Sequence, residues 1–137
     1  MIYALDANIV IYYLRENESV KNMVQQAILN KASFVIPRAV DYEVRRGLEM
    51  ISATRKVKLY DNFISPPLGM CKIVDMGEEV WETAKKIYIA LRRKGFTVGE
   101  IDILIGAFCL QNGYTLVTDN TKDFMNIEKL QIENWRI

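Results

Sequence analysis

Four acidic residues stand where short apolar runs end or where an apolar helical stripe passes. They are Asp6 after Ile2-Tyr3-Ala4-Leu5, Glu43 beside Val40 and Val44, Asp102 next to Ile101, and Asp119 after Leu116-Val117-Thr118. Gathered carboxylates suppress one another's ionisation unless a cation joins them, so acids brought together in this way normally hold a metal. With oxygen donors alone the fitting ion is Mg²⁺, with Mn²⁺ as a substitute. The chain has 137 residues and no histidine. Water must then be activated by a metal or a carboxylate rather than by imidazole, which suits hydrolysis of phosphodiesters.

Each acid also has a plainer reading. An Asp at a strand end commonly caps the next helix, Glu43 can pair with Arg46 or Arg38, and Asp102 can cap its own helix. Joint placement at equivalent edges favours a shared site. Arg45 and Arg46 stand closest to a candidate acid in sequence and, with Asn8 and Thr118 beside the strand-end acids, are the candidate substrate contacts. Arg55, Lys56 and Lys58, and the run Arg92-Arg93-Lys94, could grip phosphates, although charge runs on helices are usually solvated faces.

The elements that must position these residues alternate. The apolar run Ile2 to Leu5 is too short for a buried helix and suits a strand covered on both faces, followed by a helix from Asn8 to Tyr13. Val20, Met23, Val24, Ala27 and Ile28 recur at helical spacing. Ser33 to Pro37 reads as a second strand, and a helix from Arg38 carries Val40, Val44, Leu48 and Ile51 as its stripe, with Gly47 one turn beyond Glu43. Thr54 to Phe63 continues helically until Ser65-Pro66-Pro67-Leu68-Gly69 breaks the pattern. Cys71 to Met76 reads as a third strand. Val80, Trp81, Ala84, Ile87, Tyr88 and Leu91 mark a helix stopping at Gly95, and Ile101, Leu104, Ile105 and Phe108 the buried stripe of another that stops at Gly113. Thr115 to Thr118 is a fourth strand, and Leu130 to Ile137 a final edge strand. The alternation predicts an α/β fold, a three-layer α/β/α sandwich with a mainly parallel sheet covered on both faces. Its strands' carboxyl ends share one edge, where the acids can meet.

The length suits a single domain over residues 1–137. Eighteen basic residues against seventeen acidic ones leave a net charge of +1, so bulk charge does not point to nucleic acid and a local basic patch would have to do so. No signal peptide or membrane span is legible, and a cytoplasmic location is expected. Cys71 and Cys109 read as buried thiols rather than a disulfide or zinc framework.

Leu5-Asp6-Ala7-Asn8-Ile9 resembles the Leu-Asp-Thr-Asn opening of PIN-domain ribonucleases. Tyr42-Glu43-Val44-Arg45-Arg46-Gly47-Leu48 is similar to their second acidic motif. Arg93-Lys94-Gly95, Val98-Gly99-Glu100-Ile101-Asp102 and Leu116-Val117-Thr118-Asp119-Asn120-Thr121-Lys122-Asp123-Phe124 follow in the family's order, with Glu133-Asn134-Trp135 near the end. Within the family the chain looks most like VapC-type toxins of toxin–antitoxin pairs. The resemblance implies an Mg²⁺-dependent endoribonuclease acting on RNA, with tRNA as a candidate, a homodimer, and a cognate antitoxin as partner. It places Asp6, Glu43 and Asp102 as the metal-site acids. For the fourth position the motif favours Asn120 and charge favours Asp119, while Asp123 is expected to cap the turn that seats Phe124. Ala7 stands where the family has threonine, so a hydroxyl is missing there.

Two rivals are weaker. A phosphatase using Asp6 as a covalent phosphoryl acceptor needs a second Asp two residues on, where this chain has Asn8. A catalytically weak RNA-binding or dimeric interaction module would lack one of the acids, and none is missing.

Overall fold

The computed structural model describes residues 1–64 and 70–137, so the predicted break at 65–69 lies outside the described residues. Five parallel strands form one sheet in the order β3-β2-β1-β4-β5: β1 Ile2–Leu5, β2 Ser33–Pro37, β3 Cys71–Val74, β4 Thr115–Val117 and β5 Ile132–Glu133. The helices are α1 Ala7–Leu14, α2 Glu18–Leu29, α3 Arg38–Met50, α4 Thr54–Ile64, α5 Glu78–Arg93, α6 Glu100–Asn112 and α7 Thr121–Phe124. An all-parallel sheet needs helical cover on both faces, and the α/β/α arrangement expected from the sequence is the one observed.

The strand order decides where a site can form. From β1 the chain steps to β2 and β3 on one side, then returns to β4 and β5 on the other. The carboxyl ends of β1 and β4 therefore flank a switch point, the place where open α/β sheets leave a crevice. Register holds the two ends level: Leu5 pairs with Val117, and the Asp6 amide donates to the Val117 carbonyl at 2.9 Å.

The core is aliphatic, with Leu5, Ile9, Val10, Ile36, Ile105 and Leu116 almost fully excluded from water. Trp135, 1 % exposed, anchors the tail. Its ring meets Tyr3 edge-on at 4.9 Å and Phe34 at 6.2 Å, while its carbonyl accepts from the Ser19 hydroxyl on α2.

Several sequence expectations are corrected. The first helix starts at Ala7, because Asp6 already caps it. Ile51 lies past the end of α3 and is 68 % exposed. β3 stops at Val74, and the tail contributes only two strand residues. On α5 the buried stripe is Val80, Ala84, Ile87 and Leu91, whereas Trp81 and Tyr88 turn outward. On α6, Ile101 and Leu104 are only half-buried, and Ile103, Gly106, Ala107 and Cys109 are buried with Ile105 and Phe108. This helix packs against α5, α7, α3 and β4, so several sides are covered and no single stripe describes it. Both cysteines are buried and free, as expected.

Candidate active site

Asp6 follows the last residue of β1, and its side chain accepts from the Ala7 amide at 2.8 Å, capping α1. The capping reading of this residue is therefore realised, and its second oxygen is left to other partners. The Thr118 hydroxyl donates to Asp6 Oδ2 at 2.8 Å, and the Asn8 amide nitrogen reaches the same oxygen at 3.2 Å. Asn8 also ties down the loop after β4, donating to Thr118 Oγ1 at 3.3 Å and accepting from the Asp119 backbone amide at 3.1 Å. Asn8 and Thr118, expected as substrate contacts, thus brace Asp6. Asp6 is 3 % exposed, and burial pushes its carboxyl above the usual range against these three hydrogen bonds.

Glu43 projects from α3 and Asp102 from the first turn of α6, on helices that pack on each other. Burial and then the nearby Asp6 and Asp102 push the Glu43 carboxyl up to about 7, with Arg46 opposing. Asp102 is pushed up to about 6 by burial, then by Asp6 and Asp123. These shifts mean that three carboxylates feel one another across one crevice with little cationic relief.

The loop beyond β4 closes the site. The Asn120 amide nitrogen donates to Asp102 Oδ2 at 3.3 Å and to Asp123 Oδ2 at 3.2 Å, bridging the two acids. Asp119 contributes its backbone amide to Asn8 and its negative charge to Asp6. Asp123 reaches the acids through Asn120, which the chain distance between them concealed.

Of the two arginines next to Glu43 in sequence, Arg46 is the one that acts on it electrostatically. Arg45 turns away, with Nε on Asp41 Oδ1 at 3.1 Å and Nη1 on Asp61 Oδ1 at 3.0 Å. Sequence reasoning missed Asp41, which is 6 % exposed and also accepts from the Tyr60 hydroxyl at 2.8 Å. The signal was present: Asp41, Val44 and Leu48 fall at i, i+3 and i+7, placing the acid on the buried stripe.

The donor set suits a hard divalent cation: carboxylates from three elements, an adjacent amide and no thiolate or imidazole. Among the described residues, no three acidic, cysteine or histidine side chains are gathered as a metal-binding group in their present positions.

A five-stranded all-parallel sheet with acids at the carboxyl ends of β1 and β4 defines the class, and the PIN domain family matches residues 3–130; the chain belongs to that family. Its relatives include a Rickettsia felis protein named Ribonuclease VapC2, 29% identical over 136 residues that cover 98% of each chain. Another is a Salmonella typhimurium protein named tRNA(fMet)-specific endonuclease VapC, 25% identical over 134 residues, or 97% of each. Among solved structures, VapBC2 from Rickettsia felis bound to a DNA fragment from its promoter superposes with a TM-score of 0.84 at 26% identity, covering 98% of this chain and 99% of that one. The DNA-bound VapBC of Salmonella typhimurium gives 0.84 at 22% identity, covering 98% of each, a likeness of fold.

Proposed function

We propose that this chain is a metal-dependent endoribonuclease and the toxin of a toxin–antitoxin pair. The observation that carries the reading is the placement of Asp6 at the β1/β4 switch point with Glu43 and Asp102 near enough for its charge to raise both carboxyls beyond the effect of burial. Membership of the PIN family and relatives named as ribonucleases support RNA as the substrate class, with tRNA suggested by the Salmonella typhimurium relative.

Asp6, Glu43 and Asp102 would hold Mg²⁺, or Mn²⁺ in its place, and the bound ion supplies Lewis acidity for activating water and offsetting phosphate charge. The chain's own residues do the rest. Thr118 and Asn8 fix the Asp6 carboxylate, so one ligand is oriented before anything binds. Asn120 offers an amide beside Asp102 that adds no charge, and Asp119 is the charged alternative for the fourth position. Arg46, beside Glu43, draws the phosphate backbone toward the acids.

The same acids suit a guanidinium in place of a metal, so an antitoxin segment presenting an arginine would silence the site. Solved relatives that pair toxin with antitoxin support such a partner. A homodimer is favoured by the outward face of α5 and α6, where Trp81, 59 % exposed, and Tyr88 border a hollow of about 340 Å³ with Ile103 and Leu104. Among the described residues, no helix is long and apolar enough to cross a membrane.

The test is cleavage of RNA by the purified chain. Mg²⁺ or Mn²⁺ should support it and a chelator should stop it; cleavage undiminished in excess EDTA would overturn the reading.

A further inference from the structure

α3 carries two acids two residues apart with opposite surroundings. Glu43 faces the crevice acids, whereas Asp41 is buried on the far side against α4. Asp41 Oδ1 accepts from the Tyr60 hydroxyl at 2.8 Å and from Arg45 Nε at 3.1 Å, and Arg38 Nη1 lies 3.7 Å from Oδ2. The lock extends outward on both sides. The Arg45 guanidinium lies 5.1 Å over the Tyr60 ring and pairs with Asp61 on α4, and Arg38 Nε bonds Asp75 just past β3 at 2.7 Å. Tyr60 itself is fully buried.

The apolar face of α3, made of Val40, Val44 and Leu48, holds the helix down but does little to fix its rotation, because aliphatic contacts are non-directional. A buried, satisfied polar cluster is directional and allows one arrangement. A small turn of α3 about its axis would break the bonds that leave the helix, Asp41 with Tyr60, Arg45 with Asp61 and Arg38 with Asp75, and would also swing Glu43 relative to Asp6 and Asp102.

We infer that Asp41, locked to α4 by the Tyr60 hydroxyl, is a positioning residue for Glu43: it sets the rotation of α3 and thereby the affinity of the crevice acids for a divalent ion. The inference rests on the proposed reading of Glu43, Asp6 and Asp102 as metal-site acids, and goes beyond it by assigning a role to a cluster outside the crevice.

The experiment measures Mn²⁺ binding to the full chain by loss of the free-ion electron paramagnetic resonance signal, with no RNA present, alongside melting temperature. Tyr60→Phe removes one hydroxyl and keeps the ring, and Asp41→Asn removes the charge; both should weaken Mn²⁺ binding by about tenfold, the scale of supporting-residue losses at metal sites. Leu48→Ala, on the same helix but outside the polar cluster, should lower the melting temperature and leave Mn²⁺ affinity as in the wild type. If Tyr60→Phe and Asp41→Asn only lower the melting temperature and bind Mn²⁺ like the wild type, or if Leu48→Ala weakens binding equally, the cluster is structural and the positioning role is overturned. Wild-type chain that binds no Mn²⁺ would instead overturn the metal reading of the acids, and this inference with it. Should Asp41→Asn fail to fold, Tyr60→Phe decides alone.

Discussion

Asp41 and Glu43 lie on one helix and are both carboxylates, the first buried and the second half-buried, and their surroundings differ in kind. Asp41 has a hydroxyl and a guanidinium bonded to it and a second guanidinium nearby. Glu43 has two further acids and one flanking arginine. A carboxylate surrounded by donors is bound to its own fold, whereas one surrounded by other carboxylates is destabilised until a cation arrives. Within a single turn of helix, one carboxylate is thus surrounded by donors and the other by further acids.

The largest effect that could break this comparison concerns activity. Asp6→Asn and Asp102→Asn should each reduce Mg²⁺-supported RNA cleavage by about a thousandfold or more, since removing a charged ligand cuts into metal binding and transition-state stabilisation together. A fluorogenic RNA assay checks this, and a variant cutting at the wild-type rate refutes the role. Asp102→Ala should stay inactive at every Mg²⁺ concentration. Asn120→Ala and Asp119→Ala should each recover measurable cleavage at high Mg²⁺, and a folded but dead Asp119→Ala would move the fourth position to Asp119.

Next comes stability at the opposite acid. Asp41→Ala leaves the Tyr60 hydroxyl and Arg45 without their shared acceptor, and chemical denaturation should show a loss of about 3 kcal/mol. A change within about 0.5 kcal/mol would mean that the cluster contributes nothing beyond a surface pair.

The third effect is smaller and opposite in sign. With metal removed, folded Glu43 keeps its proton up to about pH 7 whereas an ordinary glutamate loses it near 4.5. The folded state therefore binds more protons than the unfolded state in that window, so stability falls as pH rises from about 4.5 to 7. Glu43→Gln should flatten that slope and stabilise the metal-free protein at pH 8 by about 1–2 kcal/mol, a figure reduced for solvent screening at this half-buried group. Added Mg²⁺ should reverse the order, stabilising the wild type more than the variant. The smallest effect is at Arg46, whose charge opposes the upward shift of Glu43. Arg46→Ala should raise the Glu43 midpoint by a few tenths of a pH unit, read by carboxyl NMR, about what a screened surface charge contributes.

Much of the scaffold was legible because it obeys local rules. The strands Ile2–Leu5, Ser33–Pro37 and Thr115–Val117 are short apolar runs between helix signals, and their carboxyl ends carry Asp6 and the Asp119–Asn120 loop as expected. What stayed hidden depends on partners distant in the chain. Asp41 is explained by Tyr60, nineteen residues away on another helix. Arg45 was placed near the acids by adjacency, and Asp61 takes it elsewhere. Trp81 and Tyr88 fit an apolar helical stripe but fall on its exposed flank, because hydrophobicity alone does not say how wide the covered face is. Asp123 looked too far along its loop to matter until Asn120 bridged it to Asp102.

The bond from Thr118 to Asp6 joins residues 112 positions apart. A ribosome adding about 5–20 residues per second needs on the order of 6–20 s to make that stretch, and closing so long a loop is slow compared with forming any of the helices in between. The crevice is therefore among the last features of the chain to exist. Until Thr118 is made, Asp6 lacks the hydroxyl donor that orients it, and the geometry at the end of β1 is set only when β4 joins the sheet.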